Sequence, residues 1–184
     1  KSGDSTGFDY TATDGAGAGP SAHVTITYTA GSTIDASGDS TGAILMGTSG
    51  NETMKGGSGA DVFVTNGGND TINGGAGFDQ VALSGTTTWS KAYTNVEMAN
   101  IHDGEISKLT INAADVFQQS AGTVGGKDVD LFVTGDHQGT AQDTVNLNGF
   151  SSTAVGSGTF TDAGTHDAHT YDLYQGTGAN AGVI

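Results

Sequence analysis

Four carboxylates stand at nine-residue intervals in this chain: Glu52, Asp61, Asp70 and Asp79. Aligned in nines, residues 47–82 read GTSGNETMK, GGSGADVFV, TNGGNDTIN and GGAGFDQVA. The fourth position is always glycine (Gly50, Gly59, Gly68, Gly77), and the eighth is always apolar (Met54, Phe63, Ile72, Val81). Neither the helical period nor strand alternation calls for an acid at that interval. Each nonapeptide resolves into a six-residue turn ending in a carboxylate, then a three-residue strand with one inward side chain. Carboxylates and glycine-turn carbonyls are hard oxygen donors, suited to a multivalent cation.

The rest of the composition agrees with such a partner. The chain carries 20 Asp+Glu against 5 Lys+Arg, a formal net charge of −15 over 184 residues. That surface repels DNA, RNA and anionic membranes, which argues against nucleic-acid binding. No apolar run approaches a membrane span. Glycine occurs 32 times and proline once, a balance that points to many tight turns rather than collagen or extended linkers. An acidic, glycine-rich chain could be disordered, but its evenly spaced Val, Ile, Leu and Phe argue for a fold. Cysteine is absent, which excludes disulfides and thiolate metal sites. With no start methionine or signal peptide, residue 1 is expected to lie inside a longer polypeptide.

The elements around the acids are short strands. FDYTATD (8–14) and HVTITYT (23–29) alternate with period two and are joined by the loop GAGAGPSA. They resemble the last two strands of the cadherin-like or immunoglobulin-like repeats in adhesin stalks; a plain hairpin packed on its neighbour is the alternative. Residues 1–31 are therefore expected to be the tail of a sandwich. Residues 32–46 are expected to be a junction and N-terminal cap of the nonapeptide block, with Leu45 at an inward position. Residues 83–184 lose the repeat but keep short apolar strands: NVEMANI, KLTINA, DLFVTGD, DTVNLNGF and HTYDLY. One short helix is expected at 113–119, capped by Asn112, with Asp115 at its third position.

The nonapeptides resemble the RTX calcium-binding repeat, G-G-x-G-x-D-x-U-x. The resemblance implies an all-β fold: a right-handed parallel β-roll over 47–82, with 83–184 as a β-rich capping module. Two nonapeptides would complete one coil, so that turns two repeats apart stack about 4.8 Å from each other. Stacked carboxylates at that spacing repel by roughly 3 kcal/mol at an effective dielectric of 20. Calcium between them reverses the sign. One inward residue in nine leaves a thin core against an ordering cost of about 1–2 kcal/mol per residue, so folding is expected to depend on the metal.

Carried over residue by residue, the pattern implies two complete sites. One uses Gly47, Ser49 and Glu52 facing Asn66, Gly68 and Asp70; the other uses Gly56, Ser58 and Asp61 facing Gly75, Gly77 and Asp79. Glu52, one methylene longer than Asp, is expected to weaken the first site or bind through water. Thr65-Asn66 replaces the usual Gly-Gly and is expected to add strain while keeping both carbonyls. A solenoid turn that needs no ion is the alternative.

Other clusters carry less. His166-Asp167-Ala168-His169 lacks a third ligand at helical or strand spacing. His102-Asp103 and Asp136-His137 lack a nucleophile elbow, so no enzyme activity is expected. Asp128, Asp130, Asp136 and Asp143 could hold a further calcium or simply form turns. Trp89 is read as capping the open end of the roll, with a ligand platform as the alternative.

The sandwich tail, the nonapeptides and the strands after them together resemble the C-terminal region of a large RTX adhesin exported by a type I secretion system. That resemblance implies secretion to the bacterial cell surface, calcium-gated folding coupled to export, and roles in adhesion and biofilm. The implied partners are calcium ions, the secretion apparatus and a host or bacterial surface ligand. Because the sequence stops at Gly182-Val183-Ile184 within an apparent strand, the C-terminal export signal is expected to be incomplete. A glycan- or peptide-binding module, or the RTX tail of a secreted hydrolase, are the competing readings.

Overall fold

A three-residue strand points its middle side chain to one face and its neighbours to the other, so it buries a single residue. Much of this molecule is built from such strands. The computed structural model describes residues 5–14, 17–27, 33–101, 103–116, 122–124, 127–135, 137–138, 141–161, 168–177 and 184. Side chains are described for 33–101, 103–116, 129–135, 142–159, 170–177 and 184. The fold is nearly all β.

Strands β1 (Ser5–Asp14) and β2 (Gly17–Thr27) form an antiparallel hairpin that sets Phe8 opposite Val24 and Tyr10 opposite Ala22. β2 begins at Gly17, inside the stretch expected to be loop. Six short strands come next: β3 (Thr33–Asp35), β4 (Ile44–Met46), β5 (Thr53–Lys55), β6 (Val62–Val64), β7 (Thr71–Asn73) and β8 (Gln80–Ala82). They alternate between two parallel sheets, with β3, β5 and β7 in one and β4, β6 and β8 in the other. Ile44 pairs with Val62, Val62 with Gln80 and Thr53 with Thr71, a step of eighteen residues per coil. Each coil thus spends one nonapeptide on each sheet. The middle residues Ile34, Leu45, Met54, Phe63, Ile72 and Val81 are all buried.

Parallel stacking continues past the last nonapeptide. β9 (Thr86–Thr88) opens a third sheet, β10 (Tyr93–Thr94) extends the first, and β11 (Met98–Ile101) extends the second. β12 (Lys108–Asn112) stacks on β9 in the third sheet. Beyond it come β13 (Gly122–Val124), β14 (Lys127–Val129), β15 (Phe132–Gly135), β16 (His137–Gln138), β17 (Ala141–Gln142), β18 (Thr144–Asn148), β19 (Gly156–Thr161) and β20 (Ala168–Leu173). β15 joins the second sheet and β18 the third, while β13–β14, β16–β17 and β19–β20 are antiparallel hairpins. The coil therefore changes from two-sided to three-sided at β9. Trp89 and Tyr93, both buried, stack edge-to-face inside this wider section at 5.1 Å. Their bulk needs a broader interior than the single Met or Phe of the coils before.

Two expectations change. Trp89 is 1% exposed, and β11, β12, β15 and β18 stack beyond it, so it fills the interior instead of closing an open end. In place of a helix over 113–119 there is a single 3-10 turn at Ala113–Asp115, with 117–120 outside the described residues. Ala113 and Val116 are both buried, and their three-residue spacing suits a 3-10 turn laid on the core. Asn112 makes no capping bond to the backbone. Its side-chain amide donates instead to Asp115 Oδ2 at 2.8 Å.

Candidate metal centre

Each acid of the repeat closes a turn and enters a three-residue strand, so the common register superimposes acids of alternate nonapeptides. The result is a ladder. Glu52 N–H donates to Asp70 Oδ1 at 2.8 Å, and Asp61 N–H to Asp79 Oδ1 at 2.7 Å. Ala43, at the position an earlier acid would hold, donates its N–H to Asp61 Oδ1 at 2.6 Å. All four repeat acids are buried.

The turns stack so closely that only glycine fits. A β-carbon on Gly68 would run into the Gly50 carbonyl, one on Gly75 into the Gly57 carbonyl, and one on Gly77 into the Gly59 carbonyl. Gly68, Gly75 and Gly77 also hold φ of 80°, 105° and 126°, where a side chain is strained in any case. Thus 65–70 lies on 47–52, and 74–79 lies on 56–61. The twelve residues expected as ligands are brought together in those two groups.

Within the first group, the Glu52 carboxylate folds back on its own turn. Thr48 N–H donates to Oε2 at 2.9 Å and Thr48 Oγ1 to Oε1 at 2.7 Å. Glu52's extra methylene gives it that reach. Asn66 sits at φ 55°, and its side-chain amide donates to the Gly47 carbonyl at 3.1 Å. Its left-handed backbone is the strain expected where Asn replaces Gly. In the second group Gly57 N–H donates to Asp61 Oδ2 at 2.8 Å. A β-carbon on Gly56 would strike both the Gly74 carbonyl and Asp61 Oδ2, so these oxygens converge beside it.

Electrostatics set the requirement. Asp70 Oδ2 and Asp79 Oδ2 are buried side-chain oxygens without a hydrogen-bond partner. A buried carboxylate left so costs several kcal/mol unless a cation or proton meets it. Burial raises Asp61, which also feels the Asp39 charge. Burial likewise raises Asp70, with Glu52's charge adding to it. Asp79 is pushed up to about 7 by burial and by the charges of Glu97 and Asp61. Among the described residues no group of three or more His, Cys, Asp or Glu comes together. Any bound ion must therefore draw most of its ligands from carbonyls and water, a donor set of oxygen alone that fits calcium.

Residues 46–81 match the family model for the RTX calcium-binding nonapeptide repeat, in four copies. This block is an RTX calcium-binding module. No curated protein and no solved structure matches the chain. RTX nonapeptide repeats bind calcium, which makes calcium the ion of this block. Among the described residues no helix is long and apolar enough to cross a membrane, and RTX repeat proteins are typically secreted.

The remaining candidates scatter. His102, Asp136, His166 and Asp167 lie outside the described residues, as do the side chains of Asp128, His137 and His169. Asp103 accepts from Glu105 N–H and Ser107 Oγ, and Asp143 Oδ1 accepts from Ser107 N–H at 2.8 Å. Those bonds hold turns and rungs in place.

One participant escaped the sequence reading. Glu97 Oε2 accepts Asp79 N–H at 2.7 Å, continuing the ladder of acids beyond the RTX block. A signal was present, since Glu97 keeps the repeat's sixth position and buried Ala99 its eighth. The missing glycines hid it.

Proposed function

We propose that this chain is a calcium-gated folding module near the C-terminal end of a bacterial surface adhesin exported by type I secretion, and that it performs no catalysis. One observation carries the reading: buried acids stacked coil on coil, two of them with an oxygen that accepts no hydrogen bond. Gly47, Ser49, Glu52, Asn66, Gly68 and Asp70 would hold one ion; Gly56, Ser58, Asp61, Gly75, Gly77 and Asp79 would hold another. Bound calcium supplies charge neutralisation between turns. Where calcium is scarce, as in cytoplasm, the acids repel, the block stays unfolded, and the chain can thread through an export channel. Outside, the turns close and hold the chain there. The right-handed sense of the coil, and the origin of β1–β2 as the tail of a stalk repeat, belong to the same reading, as do attachment and biofilm.

Far-UV circular dichroism with calcium and with chelator tests it. The calcium form is expected to gain β signal that the chelated form lacks; an unchanged spectrum rejects the proposal.

A second reading, ligand recognition by 83–184, is favoured by a cavity of about 530 Å³ whose lining includes Ile101, Phe132, Val145, Tyr171 and Tyr174. Aromatic walls of that kind suit a glycan or a peptide. Calcium-dependent retention of the chain on target cells, lost on Tyr171→Ala, is the outcome that would place recognition first.

A further inference from the structure

The last nonapeptide coil ends in a cradle whose roof comes from outside the RTX block. β10 pairs Thr94 with Asn73 and β11 pairs Met98 with Gln80, so residues 95–97 span the gap that 74–79 span one coil earlier. The shortened turn starts at Asn95, a non-glycine residue held at φ 51°. A β-carbon on Gly74 would strike the Asn95 carbonyl oxygen and Asp79 Oδ2, so these two oxygens converge on one point.

The same place exists beside Gly56, bordered by the Gly74 carbonyl and Asp61 Oδ2. There, however, Gly57 N–H satisfies Asp61 Oδ2. In the later cradle Asp79 is 1% exposed and its Oδ2 has no partner. Glu97 brings a second carboxylate from above, fixed by its 2.7 Å bond from Asp79 N–H. A main-chain carbonyl and a second carboxylate thus lie near a buried Asp79 oxygen that needs a positive charge.

We propose that Asp79, Asn95 and Glu97 form a further calcium site, joining the last RTX coil to the first coil of the region after it. The inference rests on the RTX block binding calcium and extends that binding to residues outside the four matched nonapeptides. The ligands are oxygen only, with water completing the shell, as a hard divalent ion requires. The site ties the end of the metal-dependent ladder to the first of the strands held by packing.

The test counts bound calcium by native mass spectrometry on the full chain and on E97Q. Glutamine keeps the length of the side chain and an oxygen for Asp79 N–H, but removes the charge. E97Q is expected to lose a single ion while retaining the others and its calcium-induced circular dichroism. An unchanged count with unchanged calcium affinity overturns this site and leaves the RTX block standing. No calcium on either protein overturns both readings. Should E97Q fail to fold, the wild-type chain decides: calcium is expected to shift the Asn95 carbonyl carbon resonance, and a resonance that stays put overturns the site.

Discussion

Between Ile44 and Ala82 the second sheet advances in strict steps of eighteen residues, whereas in the third sheet Thr86 pairs with Lys108, and Lys108 with Thr144. The first region tolerates no insertion between coils; the second accommodates a step of 36 residues. What stacks in each differs as well. The RTX turns superimpose carboxylates and carbonyls that must meet across a fixed gap, so one extra residue would separate them. The later coils stack apolar residues such as Leu109 and Ile111. Amides run up their surface, with Asn148 donating to Asn112 and Asn100 to Gln80, both at 3.1 Å. Packing and neutral amides need no ion and allow loops to leave and return. Strict periodicity therefore marks where acids and carbonyls stack in register, not where parallel strands are.

Chelation should break this comparison most visibly. At a hundredfold ligand excess each site contributes about 2.7 kcal/mol, so removing calcium should abolish amide-exchange protection in β5–β8. Protection in β12 and β18 should fall far less. Equal loss in both regions would mean that the later coils depend on metal as heavily as the block.

Acidity should distinguish the metal-free from the loaded block. Burial lifts Asp79 from 3.8 to about 7, so the metal-free fold retains a proton that the unfolded chain releases. Its stabilisation is complete below the unfolded value and is lost as pH rises through about 7. In chelator the block is therefore expected to regain part of its β signal on going from about pH 8 to about pH 5. With calcium bound the trend should reverse, because protons compete with the ion for the carboxylates. The same slope in both conditions would contradict a cation between the turns.

Glycine substitutions give the smallest and sharpest contrast. G77A meets both a φ of 126° and the Gly59 carbonyl, and should cost more than about 1–2 kcal/mol, the range for left-handed strain alone. G85A, at φ 63° with open space around it, should cost about that range and no more. G38A, also in open space and without positive φ, should stay within about 0.5 kcal/mol. Calcium titrations read by thermal midpoint would rank them; G85A costing as much as G77A would remove the close approach of the turns from the account.

Glu97 shows where legibility ended. Its position keeps the register of the repeat, but the turn before it is Asn95 and Val96, without a glycine. A reading keyed to glycine therefore stopped at 82. The third sheet was less legible still. TTT at 86–88 alternates nothing apolar, its partner Lys108 lies 22 residues further along the chain, and Lys108's next partner Thr144 lies another 36 beyond that. Asn112 looked like a helix cap because Asn often is one; only the buried pair Ala113 and Val116 turned the segment into a single tight turn.

By itself the sequence determined the repeat register of the RTX block, its inward residues from Met54 to Val81 and the even spacing of its acids. All of these derive from spacings within nine residues, where glycine, acid and apolar side chain constrain one another directly. Tertiary structure alone decided that the coil becomes three-sided around Trp89 and Tyr93, that Glu52 turns back on Thr48, and that Asp79 faces Asn95 across a gap. Those outcomes depend on which strand lies beside which, and pairing between distant residues is set by the volume and charge that the assembled coils must enclose.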